Sequence, residues 1–254
     1  MEVLVIKFFG APLFIGLASL AGKRWGQAVA GLLGGLPLVA GPIVAALWLQ
    51  HGASFAAASA RAIPAGLWAI TAHLLLMAWV SARRGWLASL LAGWLGFLAV
   101  GIAFSESGLI GQAWLGIGAI VVLIAGTLAI PKPSATPRGA HLPKLELAAR
   151  MAAALLLVIG LTAVATRIGS SLTGVLTVFP VASSVMPAFT LANAGRDALL
   201  VQLKGFGAGM TGLGAFSMLL ASLLEPLGGW AFLPAIALSV AVAMSISQLL
   251  RRLT

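Results

Sequence analysis

The chain of 254 residues is 61% hydrophobic and 8% charged, with a mean hydropathy of +1.11 and a formal net charge of +10. So little polar surface excludes a water-soluble core, and a polytopic membrane protein is expected. With no cysteine and three scattered histidines, disulfides and thiolate metal sites are excluded, and neither a metal nor a cofactor is expected.

Apolar runs of helical length fall at roughly 3–21, 27–50, 62–81, 86–104, 109–130, 147–166, 170–193, 201–224 and 229–250, so the chain has room for about nine transmembrane helices. The runs are continuous, whereas a transmembrane barrel needs short alternating segments. The first run resembles a signal peptide in length. Lys23 and Arg24 follow it instead of preceding it, however, which predicts a retained helix.

The second run opens a repeat. Ala30 to Gly52, AGLLGGLPLVAGPIVAALWLQHG, lies over Thr173 to Gly195, TGVLTVFPVASSVMPAFTLANAG, at a shift of 143 positions (30 to 173). Gly31 meets Gly174, Pro37 meets Pro180 and Gly52 meets Gly195, and each copy carries a second proline, Pro42 or Pro187. Outside this core the register also pairs Arg24 with Arg167, Arg61 with Lys204 and Gly66 with Gly209. The expected fold is therefore all-α, with four helices in residues 1–108, a connecting helix at 109–130, a Pro-rich cytoplasmic linker at 131–146 and four more helices in 147–254. A shift of five spans is odd, so the two four-helix repeats are expected to be inverted about an axis in the membrane plane.

Basic residues divide unevenly between alternate loops, twelve on one side against Lys7, Arg61 and Arg167 on the other. By the positive-inside rule this predicts a bacterial-type inner membrane protein with its amino terminus outside and its carboxyl terminus cytoplasmic. The positive charge is thus accounted for by topology, and no nucleic acid partner is expected. The expected partners are the lipid bilayer and a small solute, and the plan leaves room for a homodimer.

Paired prolines remove backbone hydrogen bonds that lipid cannot replace, so runs two and seven are expected to line a protected or wet space. Breaks at matching points of inverted halves are the sequence mark of a transporter's central site. On run two the substrate-binding candidates are Gly34, Pro37, Gly41 and Pro42. On run seven they are Thr177, Pro180, Ser183, Ser184 and Pro187, where Thr173, Thr177, Pro180, Ser184 and Pro187 recur at helical spacing. Arg24, Arg61, Arg167 and Lys204 are candidate mouth or gating charges. His73 is the one titratable side chain well inside a run, a candidate proton relay, while Glu2, Glu106, Glu146, Asp197 and Glu225 fall in loops or at run ends.

No phosphate-cradling GxxxxGK[ST], HExxH or GxSxG is present, so an enzyme is not expected. The reading is a small secondary transporter or facilitator of an anionic or zwitterionic solute. The alternatives are a channel on the same scaffold and a non-transporting membrane scaffold subunit.

Overall fold

The computed structural model describes residues 11–38, 40–135, 179–180 and 182–253, with scattered positions between 145 and 163. The described residues form helices and no strand. In chain order these are α1 (Ala11–Trp25), α2 (Gln27–Gly35), α3 (Ala40–Val80), α4 (Trp86–Glu106), α5 (Trp114–Ala129), α6 (Ala182–Ala194), α7 (Arg196–Leu227) and α8 (Phe232–Leu253). A 3-10 turn, Gly228–Ala231, joins the last two. Three stretches, Gln27–Val80, Trp86–Glu106 and Arg196–Leu250, are long and apolar enough to cross a membrane, and α5 is a shorter apolar helix.

Backbone chemistry sets the breaks. Pro37 has no N–H for the Leu33 carbonyl, which accepts instead from Leu36 N at 3.2 Å, and α2 ends. The chain restarts at Ala40, with Gly41 N donating to Pro37 O at 2.8 Å. Pro42 falls in the first turn of α3, where a missing N–H costs no helical bond.

The 41-residue α3 is two arms meeting at Gly52, whose φ of 85° and ψ of 174° are not helical. Contacts with α7 show that the chain reverses there. Before Gly52, Gly31, Gly41 and Trp48 meet Phe206, Phe216 and Gly229 in turn, so this part runs parallel to α7. After Gly52, Arg61 meets Ala221 while Leu67 meets Gly214, so the second arm runs antiparallel to it. The loop expected between runs two and three is thus replaced by one glycine. Gly195, at φ 84° and ψ −179°, likewise stands alone between α6 and α7, and Arg196 and Asp197 belong to the first turn of α7 rather than to a loop.

Central in the bundle, α7 is buried on every side from Gly205 to Ser217, and toward each end along one face, at Leu199 and Leu224. In lipid there is no hydrophobic gain from bringing apolar helices together, so close backbone approach at small residues carries the packing. Gly31 and Gly35 of α2 interlock with Gly205 and Gly209 of α7, and a Cβ on any of the four would overlap backbone atoms of the facing helix. Gly212 seats Ser239 and Ala243 of α8, and Gly93 of α4 seats His73.

The connector α5 lies between the second arm of α3 and α7. Gly126 faces Thr71 and Gly118 faces Trp68, while Gly207, Gly214 and Met218 of α7 face Thr127, Ile120 and Gly116. It therefore runs parallel to the α3 arm and antiparallel to α7. Run six, Arg167 and the first half of run seven, including Thr173 and Thr177, lie outside the described residues or among the scattered ones.

Candidate functional site

The interrupted stretch Leu36 to Leu38 has a counterpart in the other half. Phe179 and Pro180 are non-helical and α6 starts at Ala182, so a helix begins just after Pro180 as one does just after Pro37. Both prolines are buried, as is Pro187 inside α6, while Pro42 is half-buried.

Around the α6 start lies a polar cluster. His73, fully buried in the second arm of α3, donates from Nε2 to the Ser183 carbonyl at 3.1 Å. Its ring fits because Gly93 opposite has no side chain; a Cβ there would stand 2.6 Å from Nδ1. Trp94 Nε1 donates to Ser184 Oγ at 2.8 Å, and its ring, with that of Phe97, flanks Phe179. Ser183 Oγ is buried without a hydrogen-bond partner, an uncommon state for a hydroxyl that has been taken out of water. The 143-residue shift carries His73 to Phe216 and Ser184 to Gly41 (73 to 216, 41 to 184), and Phe216 does meet Gly41, at 3.8 Å from where a Cβ would stand. The His73–Ser183 junction is polar, whereas the Phe216–Gly41 contact is apolar. Gly34 takes no part in it: its open side is filled by the Phe206 ring.

Two cavities hold the repeat-paired cations. One, of about 350 Å³, has Lys204, Val201, Gly205 and Ala208 of α7 in its wall, with Thr127 near the end of α5 and Lys132 and Pro133 just beyond it. The other, of about 280 Å³, has Ala60, Arg61 and Pro64 of α3, Gln112 and Gly116 at the start of α5, and Met218, Ala221 and Ser222 of α7. Gly116 and Thr127 are eleven positions apart (116 to 127), about 16 Å along a helix, so the cavities open at opposite ends of the connector.

Their electrostatics differ. Arg61 donates to the Ala221 carbonyl at 3.4 Å and lies 3.9 Å from Glu225, with both side chains about half exposed. Lys204 has Lys132 as its companion in the cavity wall, and Arg24 is not in that wall. Arg24 sits in the last turn of α1, over the Trp25 ring at 5.8 Å, and borders a separate, mostly apolar cavity with Leu17, Leu33 and Leu38. The linker that carries Lys132 is tied to α7: Asp197 accepts from Ser134 N at 2.8 Å, Ser134 Oγ at 3.1 Å and Ala135 N at 3.1 Å.

Sequence reasoning had no signal for Trp94 or for the Glu225 partner of Arg61, since the 143-residue shift lays each over an alanine, Ala237 and Ala82. In the sequence, Lys132 stands among the twelve basic residues assigned to one side and Asp197 among the acids in loops or at run ends. Compared with family models, curated proteins and solved structures, the chain finds no match. Neither fold nor function is inherited by similarity.

Proposed function

We propose that the protein is a small inner-membrane secondary transporter or facilitator of an anionic or zwitterionic solute, working by alternating access between two inverted halves. The observation that carries this is the placing of Arg61 and Lys204, partners in the 143-residue register, in separate cavities at opposite ends of α5. Support for the inversion comes from their helices, the second arm of α3 and α7, which run antiparallel although equivalent in the repeat. The non-helical residues at Pro37 and Pro180, each followed by a helix start, agree with the interrupted helices that carriers of this plan use.

A carrier fits better than a channel. Between the two cavities, Gly214 of α7 packs closely on Ile120 of α5 and Leu67 of α3, so the three helices touch there rather than part around an open pore. The substrate would pass by way of the α6 start, where Ser183 Oγ is unpartnered. In this reading the Lys204 cavity faces the cytoplasm, because Lys132, Lys204 and most other basic residues share that side.

Proteoliposomes loaded with phosphate, sulfate or small carboxylates test the proposal. Saturable uptake that accelerates when the same anion is present inside is the expected result. A voltage-driven current without saturation would make it a channel, and liposomes inert to every anion would favour a scaffold subunit.

A further inference from the structure

The two cavities are alike in position and unlike in charge balance. In one, the cation is offset by a carboxylate, Glu225, and by a backbone carbonyl. In the other, two ammonium groups, Lys132 and Lys204, border the same space, and among the described residues neither is ion-paired. The carboxylate held nearest along the chain, Asp197, has both oxygens engaged by Ser134 and Ala135. Lys132 is exposed and Lys204 half-buried, so their repulsion is weak in open water and grows as water is displaced from the space between them. A clamp that holds Lys132 beside Lys204 therefore has a cost unless an anion joins them.

We propose that the cavity between Lys132 and Lys204 binds a doubly charged oxyanion of the phosphate class. Each ammonium brings three N–H donors and no acceptor, a set that suits several phosphate oxygens and offers nothing to a cation. The space of about 350 Å³ admits a phosphate group with a small organic substituent, and the apolar wall of Ala28, Val201 and Leu250 would accommodate that substituent. The phosphate group can belong to a free solute or to a lipid headgroup. This deepens the carrier reading by naming the ligand class at one mouth, and it rests on that reading only for the step from binding to transport.

The test uses the whole protein in phosphatidylcholine nanodiscs, with amine acylation followed residue by residue by mass spectrometry. Exposed Lys23 is the internal reference. Inorganic phosphate should slow acylation of Lys132 and Lys204 at least threefold and leave Lys23 unchanged. Protection seen only when phosphatidylglycerol replaces part of the lipid, with no phosphate added, also supports the site and identifies the headgroup as its source. Unchanged rates in both arms would overturn the proposal. So would protection of Lys132 that persists in Lys204→Gln, because the two groups would then not share a ligand. Protection together with inert proteoliposomes would remove the carrier and keep the site, whereas saturable uptake without protection would do the reverse.

Discussion

Gly52 and Gly195 stand 143 positions apart (52 to 195) and hold the same backbone conformation, φ 85° with ψ 174° and φ 84° with ψ −179°. This region is essentially closed to residues with a Cβ, at a cost of about 1–3 kcal/mol. A Cβ at either position would touch nothing within 4 Å, so the cost is conformational alone. Gly52→Ala and Gly195→Ala should each lower the thermal midpoint in detergent by a similar amount. If either variant melts with the native protein, its glycine is not what permits the junction.

The interlocked glycines make a second prediction. Gly209→Ala places a methyl against the Leu32 carbonyl and Gly35 Cα, backbone atoms that cannot turn aside. It should destabilise by about 1–3 kcal/mol. Gly85→Ala, at φ −71° with no atom within 4 Å of the added methyl, should be neutral. Equal midpoints for the two variants would mean that α2 and α7 do not depend on backbone contact.

Ser183 and Ser184 are adjacent, both buried, and differ in partnership. Ser184→Ala strands the Trp94 indole N–H and should cost about 1–3 kcal/mol. Ser183→Ala removes a hydroxyl that has no partner and should leave stability unchanged while anion uptake falls several-fold. Full uptake in Ser183→Ala would take this hydroxyl out of the transport path.

Arg61 and Glu225 are about half exposed and 3.9 Å apart, so their pairing contributes less than about 1 kcal/mol. Arg61→Gln should therefore fold normally and lose anion uptake several-fold, whereas Glu225→Gln should retain it, since it leaves the cation unopposed. Unaltered uptake in Arg61→Gln would remove the argument for an anionic substrate at that mouth.

Asp197 holds the start of the linker through two backbone amides and a hydroxyl. Both amides donate to its carboxylate, so Asp197→Asn, which halves the acceptor set, should speed amide exchange at Ser134 and Ala135. Exchange at the native rate, followed by mass spectrometry of peptides covering 131–135, would show that something else holds the linker.

What the sequence could determine was local and covalent. Pro37 and Pro180 lack an N–H, which removes a helical hydrogen bond whatever surrounds it, and glycine at 52 and 195 permits a backbone conformation closed to other residues. The all-helical class followed from the length and continuity of the apolar runs. Tertiary structure decided which distant groups meet: Arg61 with Glu225, Lys204 with Lys132, His73 with Ser183 and Trp94 with Ser184. It also shortened two expected loops to one glycine each. Those pairings depend on how helices far apart in the chain turn their faces to one another. In an apolar chain that orientation is set by small-residue packing, to which hydropathy is blind.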